Sequence, residues 1–196
     1  MKRYTIFAGV NGAGKSTFYK SMYQSLEDEK RINTDEMVSR LGSWEDGSLQ
    51  IKCAKEAISL IKAYFNEGIS FNQETTLTGR TILRNIELAK SKGYEVHLYY
   101  VAVDNIEIAL ERIAKRVEKE GGHGVPEADV RRRYVNSFEN LSEIFQLCDV
   151  VIFCDNSIKF KNVAVFEKGN LVYKSRKLPS WLTETEALND LYQFYF

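Results

Sequence analysis

"GVNGAGKST" runs from Gly9 to Thr17 and meets G-x-x-x-x-G-K-[ST] at every fixed position. Such a motif carries weight only in context: an apolar strand must lead in and a helix must lead out. "RYTIFAG" (3–9) is the apolar strand, and a helical pattern with Phe18, Met22 and Leu26 follows from about Lys15. Glycines at 9, 12 and 14 let backbone N–H groups turn inward to cradle phosphate oxygens, and the helix N-terminus adds its dipole. Lys15 is placed to reach the β- and γ-phosphates and Ser16 to ligate Mg²⁺. Gly9, Asn11, Gly12, Ala13, Gly14, Lys15, Ser16 and Thr17 form the expected ATP-binding set.

Outward from this loop, short apolar runs alternate with amphipathic stretches. "KRIN" (30–33), "ISFNQET" (69–75), "EVHLYYVAV" (95–103) and "VVIFC" (150–154) read as further strands. Helices are expected over 48–66, 80–92 and 105–119, and from the Pro126 region to about Cys148. Alternating strands and helices imply a doubly wound, mainly parallel five-stranded sheet with helices on both faces, the α/β P-loop NTPase class. The tail differs: "VAVFEKGNLVY" (163–173) reads as a hairpin around Lys168-Gly169. Residues 183–195 read as a terminal helix with Thr183 as N-cap and Glu186 completing a capping box. The expectation is one domain: a core at 1–156, a lid at about 118–133, and a C-terminal hairpin and helix at 157–196.

Composition narrows the partners. Lys+Arg and Asp+Glu both number 27, so the net charge is zero, which argues against bulk nucleic-acid binding but permits a local basic cleft. Cys53, Cys148 and Cys154 form no CxxC pair, and a reduced, cytoplasmic setting with each cysteine a small buried hydrophobe is expected. No signal-peptide-like run occurs in residues 1–20, and no window of about 18 apolar residues suggests a membrane span.

The class of P-loop protein follows from other motifs. A guanine-reading N-K-x-D, a D-x-x-G switch and an L-S-G-G-Q signature do not occur. A small-molecule kinase needs a base near an acceptor hydroxyl, a second acid, and a cationic lid. Asp35 in "INTDEM" lies just past the second strand, where ligands of parallel sheets gather; it is a candidate base or a helix N-cap for 36–41. Asn33 is a polar neighbour at the same mouth. Glu74 ends the third strand in "FNQETTLTGR" and can hold Mg²⁺ through water, grip a substrate hydroxyl, or belong to a polar turn. Thr76 and Arg80 are further substrate candidates, and Thr78 a candidate cap for the next helix.

The lid candidates lie on two helices. With an apolar stripe at Ile106, Leu110, Ile113 and Val117, Arg116 falls about 80° from the stripe's centre and Arg112 about 120° away. Arg116 can therefore flank a cleft. In "GGHGVPEADVRRRY" (121–134), Gly121, Gly122 and Gly124 are a candidate hinge and Pro126 opens a helix. That helix is expected to bury Val130, Tyr134, Phe138, Leu141 and Phe145. Arg132 then points away from the stripe while Arg131 and Arg133 sit on its shoulders, able to meet phosphates through fixed guanidinium forks. The bland alternative is a charged helix face.

Taken in order, "GVNGAGKST", "INTDEM", "FNQETTLTGR", "LERIAKRV", "GGHGVPEADVRRRY" and "CDNS" resemble the zeta toxin-like P-loop kinases and their shorter relatives often labelled predicted ABC-type ATPases. The likeness covers about residues 4–156. It implies a core related to nucleotide kinases with ATP and Mg²⁺ as donor. The better-known toxins phosphorylate a hydroxyl of UDP-N-acetylglucosamine and are neutralised by a small antitoxin. By the resemblance Lys15 and Ser16 bind the nucleotide, Asp35 is the base, Glu74 and Thr76 contact substrate, and Arg116 stabilises the transferred phosphoryl group. The toxins carry a second lid arginine where this chain has "GGHGVP", so His123, Arg131 or Arg133 is the candidate substitute. The expected function is phosphoryl transfer from ATP to a hydroxyl of a small metabolite or nucleotide-sugar. The alternative is an ATP-binding switch or interaction module with slow hydrolysis, docking through "LYQFYF" (191–196).

Overall fold

The computed structural model describes residues 1–23, 29–42, 46–120 and 124–196. Its strands are β1 (Arg3–Ala8), β2 (Lys30–Ile32), β3 (Phe71–Thr75), β4 (Glu95–Ala102), β5 (Val150–Asp155), β6 (Lys161–Glu167) and β7 (Asn170–Lys174). Its helices are α1 (Lys15–Phe18), α2 (Thr34–Leu41), α3 (Gly47–Glu67), α4 (Thr81–Ser91), α5 (Ile106–Glu120), α6 (Glu127–Ile144), α7 (Ser180–Thr183) and α8 (Asn189–Tyr195). The strands join in one sheet of order β2-β3-β1-β4-β5-β6-β7. The first five run parallel, as the alternation of strand and helix predicts. The hairpin is not a separate appendage. β6 pairs antiparallel with β5 and β7 with β6, so the sheet has seven strands rather than five.

The parallel register decides which side chains meet. Tyr4, Ile6 and Ala8 of β1 face the larger core, with α3, α4, α6 and the C-terminal tail. Phe7 faces the other way, toward α1 and α5, with Phe18, Tyr19, Val101 and Ile113. Phe7 lies level with Glu74 on β3, and Arg31 of β2 lies level with Asn72. One face at the carboxyl ends of three strands therefore carries Arg31, Asn72 and Glu74 beside α1.

Two local expectations change. After Phe18 the first helix continues as a wide π-type turn over Tyr19–Tyr23, which sets Tyr19 and Tyr23 both against Phe7, at 5.4 and 5.0 Å between ring centroids. Leu26 lies outside the described residues. The terminal helix does not begin at Thr183. That residue ends α7, its hydroxyl donates back to Pro179 O, and α8 starts at Asn189 after a short 3₁₀ turn at Glu186–Leu188. The break lets Trp181, Leu182, Leu188 and Leu191 all join the larger core. A single helix stripe could not aim them so.

The "LYQFYF" segment packs on the body: Tyr195 lies against Phe145 and Phe166, and Phe196 against Phe166, while Phe194 stays 78% exposed. Cys53, Cys148 and Cys154 are buried and unpaired. Among the described residues no helix is long and apolar enough to cross a membrane.

Trp181 is the tail's anchor. It is fully buried, stacks on Phe138 at 6.0 Å, and donates its indole N–H to Asp155 Oδ1 at 3.2 Å. Trp181→Ala should lower stability by about 3–5 kcal/mol in urea unfolding. Phe194→Ala, at an exposed position, should change it by no more than about 0.5 kcal/mol.

Candidate active site

The loop between β1 and α1 is built around backbone conformations that side chains resist. Gly12 has φ +80° and packs on the backbone of Ala109 in α5; Gly14 has φ +101°, with the Asn156 amide where a Cβ would stand. Asn156 donates from Nδ2 to Ala13 O at 2.8 Å, clamping the loop from the far end of β5. "CDNS" thus supplies a loop-positioning residue that spacing alone did not single out. Arg112 turns to the same segment, donating to Asn156 O at 2.8 Å and Ser157 O at 3.2 Å.

Lys15 is 7% exposed, and its ammonium donates to Val10 O at 3.1 Å. Burial pushes its pKa down. Glu74 and Asp35 pull the other way, while Arg116 and Arg133 add to the depression. Four predicted site residues therefore lie close enough to Lys15 to act on its charge. Thr17 is exposed and is not part of the cleft wall.

Glu74 is the most heavily engaged acid. Its side chain is 7% exposed. It accepts from the Ser16 hydroxyl at 2.8 and 3.0 Å, from Asn33 Nδ2 at 3.0 Å and from an Arg31 guanidinium nitrogen at 2.6 Å. Asn33, not Asp35, caps α2: its Oδ1 accepts from the backbone N–H groups of Asp35 and Glu36 at 3.0 and 3.4 Å. The cap leaves the Asp35 carboxylate in the first helical turn, lining the cleft beside Lys15 and Glu74.

That cleft encloses about 1300 Å³ between the phosphate loop, α2, the end of β3 and the start of α6. Thr76 lines it, with its hydroxyl 3.0 Å from that of Thr78. Arg80 does not. It is exposed and stands at the N-cap of α4, where neither it nor Thr78 supplies a side-chain cap. The arginine triplet divides differently from its helical-wheel placement. Arg133 enters the site and donates to Asn11 Oδ1 at 2.9 Å. Arg132 also lines the cleft, 2.8 Å from Asp129. Arg131 is drawn outward by Glu107 and Glu127, both at 2.8 Å, so it stands in a surface ion-pair network instead of facing the phosphates. Gly124 and Pro126 border the cleft; Gly121, Gly122 and His123 lie outside the described residues.

Residues 2–177 match the family model described as Zeta toxin. The chain belongs to the zeta toxin family. An uncharacterized protein of Haemophilus influenzae is 33% identical over 128 residues, 65% of this chain and 89% of its own length. Among solved structures, a chain of the AvrRxo1-ORF1:-ORF2 structure with ATP superposes at a TM-score of 0.70 and 16% identity, covering 99% of this chain. This chain spans 63% of that one's length. The PezAT toxin–antitoxin system of Streptococcus pneumoniae gives a TM-score of 0.59 at 17% identity, covering all of this chain and 80% of that one. These likenesses are of fold alone; the family match is what supports an ATP-dependent, kinase-like activity.

Arg31 is a second residue that spacing alone does not single out. An arginine in a three-residue strand at the sheet edge reads as solvent-facing. The available signal was alternation: Arg31, like Glu74, occupies the strand position that faces α1.

Lys15 yields a test with a definite sign. Between its lowered folded value and the ordinary 10.5, the folded chain has released a proton that the unfolded chain still holds, so ligand-free stability rises with pH across that window. Lys15→Met should remove the cost of burying this charge. At neutral pH Lys15→Met should therefore melt at a higher temperature than the wild type, and the gain should narrow as pH approaches the ordinary lysine value. Ligand-free thermal melts of both proteins across pH measure it.

Proposed function

We propose that this chain moves the γ-phosphate of ATP to a hydroxyl of a small metabolite or nucleotide-sugar, UDP-N-acetylglucosamine being one such acceptor. The supporting observation is the shared cleft: Lys15, Asn11 and Arg133, the candidates for the phosphates, line one cavity with Asp35 and Thr76, the candidates for the acceptor. A switch that only hydrolyses ATP requires the first set and not the second.

The residues fit a divalent cation. The Ser16 hydroxyl and a Glu74 oxygen lie 2.8 Å apart. Neighbouring oxygen ligands of an octahedral Mg²⁺ at ~2.0–2.1 Å are separated by roughly the same distance. Ser16 would hold Mg²⁺ directly and Glu74 directly or through water. Held there, the ion would supply positive charge to offset that of the phosphates.

Asp35 takes the proton of the acceptor hydroxyl. The freed oxygen bonds to the γ-phosphorus as the bond to the β–γ bridging oxygen breaks, and ADP departs. Lys15, Arg116 and Arg133 offset charge on the transferring group. Residues from about 118 to 133 serve as the lid, with Arg133 tying it to Asn11 of the phosphate loop. Thr76 orients the acceptor. In this reading 1–196 act as one domain in a cytoplasmic setting, with neither nucleic acid nor membrane as substrate. A small antitoxin is the expected protein partner, in keeping with the toxin–antitoxin system that PezAT represents.

Asp35→Asn should leave ATP binding intact by calorimetry and reduce transfer by about 10²–10⁴-fold, followed as phosphate mass gain on metabolites of a cell extract. Full transfer by Asp35→Asn would overturn the role of Asp35. Hydrolysis by the wild type without any phosphorylated acceptor would favour the switch.

A further inference from the structure

One charged side chain at the site has no part in the scheme above. Arg31 does not line the cleft, and its side chain is only 12% exposed. Its guanidinium carbon lies over the Tyr19 ring, 3.7 Å from the centroid. From that platform its fork reaches three side chains on two elements, α2 and β3. Nε and a terminal nitrogen hold Glu36 at 3.2 Å, the second terminal nitrogen holds Asn72 Oδ1 at 3.1 Å, and the Glu74 contact is 2.6 Å. Glu36 follows Asp35 in the first turn of α2, and Tyr19 follows the helix that begins with Lys15 and Ser16.

We infer that Arg31 is a positioning residue for the Ser16–Glu74 oxygen pair, fixing the Glu74 carboxylate toward Ser16 so that Mg²⁺ meets the pair ready-made; this rests on the proposed ATP–Mg²⁺ chemistry. Three features point to this role rather than to a strut for the edge strand. The shortest of its contacts is to the one carboxylate that also holds Ser16. Asn33 approaches the same Glu74 oxygen at 3.0 Å, so that atom is held by Arg31 and Asn33 together, while Ser16 spans both oxygens and lies nearer the other, at 2.8 against 3.0 Å. The stack on Tyr19 fixes the plane of the fork, which a lysine could not reproduce. Through Glu36 the same guanidinium also sets α2, and with it Asp35, relative to the metal pair.

The test is calorimetric titration of the full chain with ATP, in EDTA and across a Mg²⁺ series, for wild type, Arg31→Lys and Arg31→Met. Binding in EDTA should be alike in all three, since Arg31 does not line the cleft. The Mg²⁺ concentration that half-maximally tightens ATP binding should rise about 10–100-fold in Arg31→Met, the usual penalty for losing an outer-shell partner. Arg31→Lys should recover only part of that, keeping the charge without the fork. If Arg31→Met does not fold, the midpoint of Arg31→Lys decides. An unshifted midpoint overturns the inference. So does joint loss of EDTA binding in both variants, which would make Arg31 a folding strut. Wild type that binds ATP with no Mg²⁺ effect also overturns it. Wild type that binds no ATP at all would instead remove the phosphotransferase reading, and this inference with it.

Discussion

Burying the Glu74 carboxylate near the buried Lys15 ammonium is the constraint around which the rest is arranged. Taking an ion out of water costs several kcal/mol, and only close, well-directed partners offset it. Here they come from two segments far from Glu74 in sequence, Ser16 from the phosphate loop and Arg31 and Asn33 from the end of β2, which meet Glu74 on β3. The strand order β2-β3-β1 brings these segments together at one carboxyl edge. In parallel strands, side chains at matched register share a face, so Arg31 beside Asn72 and Glu74 beside Phe7 follow from pairing alone. The site is thus a property of the sheet's topology as much as of the loop that bears the motif.

The same logic explains why some of the site could be read from the chain and some could not. "GVNGAGKST" declares its role because glycine spacing, lysine and flanking periodicity all constrain one short segment. Asp35, Glu74 and Thr76 could be placed because strand ends in a parallel sheet face the ligand side. Five parallel strands and most helix boundaries followed from alternation. Properties set by remote partners were not legible. Arg131 and Arg132 exchange their expected places because Glu107, on another helix, pulls Arg131 outward. Arg31 looks like an edge-strand surface residue until Tyr19 and Glu74 are set around it. Asn156 clamps Ala13 from 143 residues away. The tail misled for a related reason. Thr183 and Glu186 carry capping-box spacing, but packing of Trp181 and Leu182 takes precedence over that local preference.

The two faces of the sheet divide the work. The larger core holds two groups of rings in contact, Tyr4 with Phe65 and Phe71, and Tyr100 with Phe138, Phe153 and Trp181. Each such pair contributes about 0.5–1.5 kcal/mol beyond the area it buries. The smaller core beneath α1 and α5 must instead leave room for buried polar groups. Lys15, Asn11 and Asn33 are each less than 9% exposed within or beside it. More of the buried apolar side chains lie in the larger core, and β1 is shared between the two through Ile6 and Phe7.

Addition of β6 and β7 to the sheet has a consequence for the phosphate loop. β5 is an interior strand because β6 covers its outer side. The chain leaving β5 is held at both ends: Asn156 N donates to Ala102 O at 2.8 Å, while Asp155 accepts from Trp181 of the tail. Arg112 holds the intervening carbonyls from α5. An asparagine fastened in this way can dictate where Ala13 O sits, and so fix the turn from which the loop's amides project. Without the hairpin and Trp181, Asn156 would hang from an edge strand, and the clamp would be only as firm as that edge. The C-terminal elements therefore support the loop that opens the chain, although they contribute no residue to the cleft.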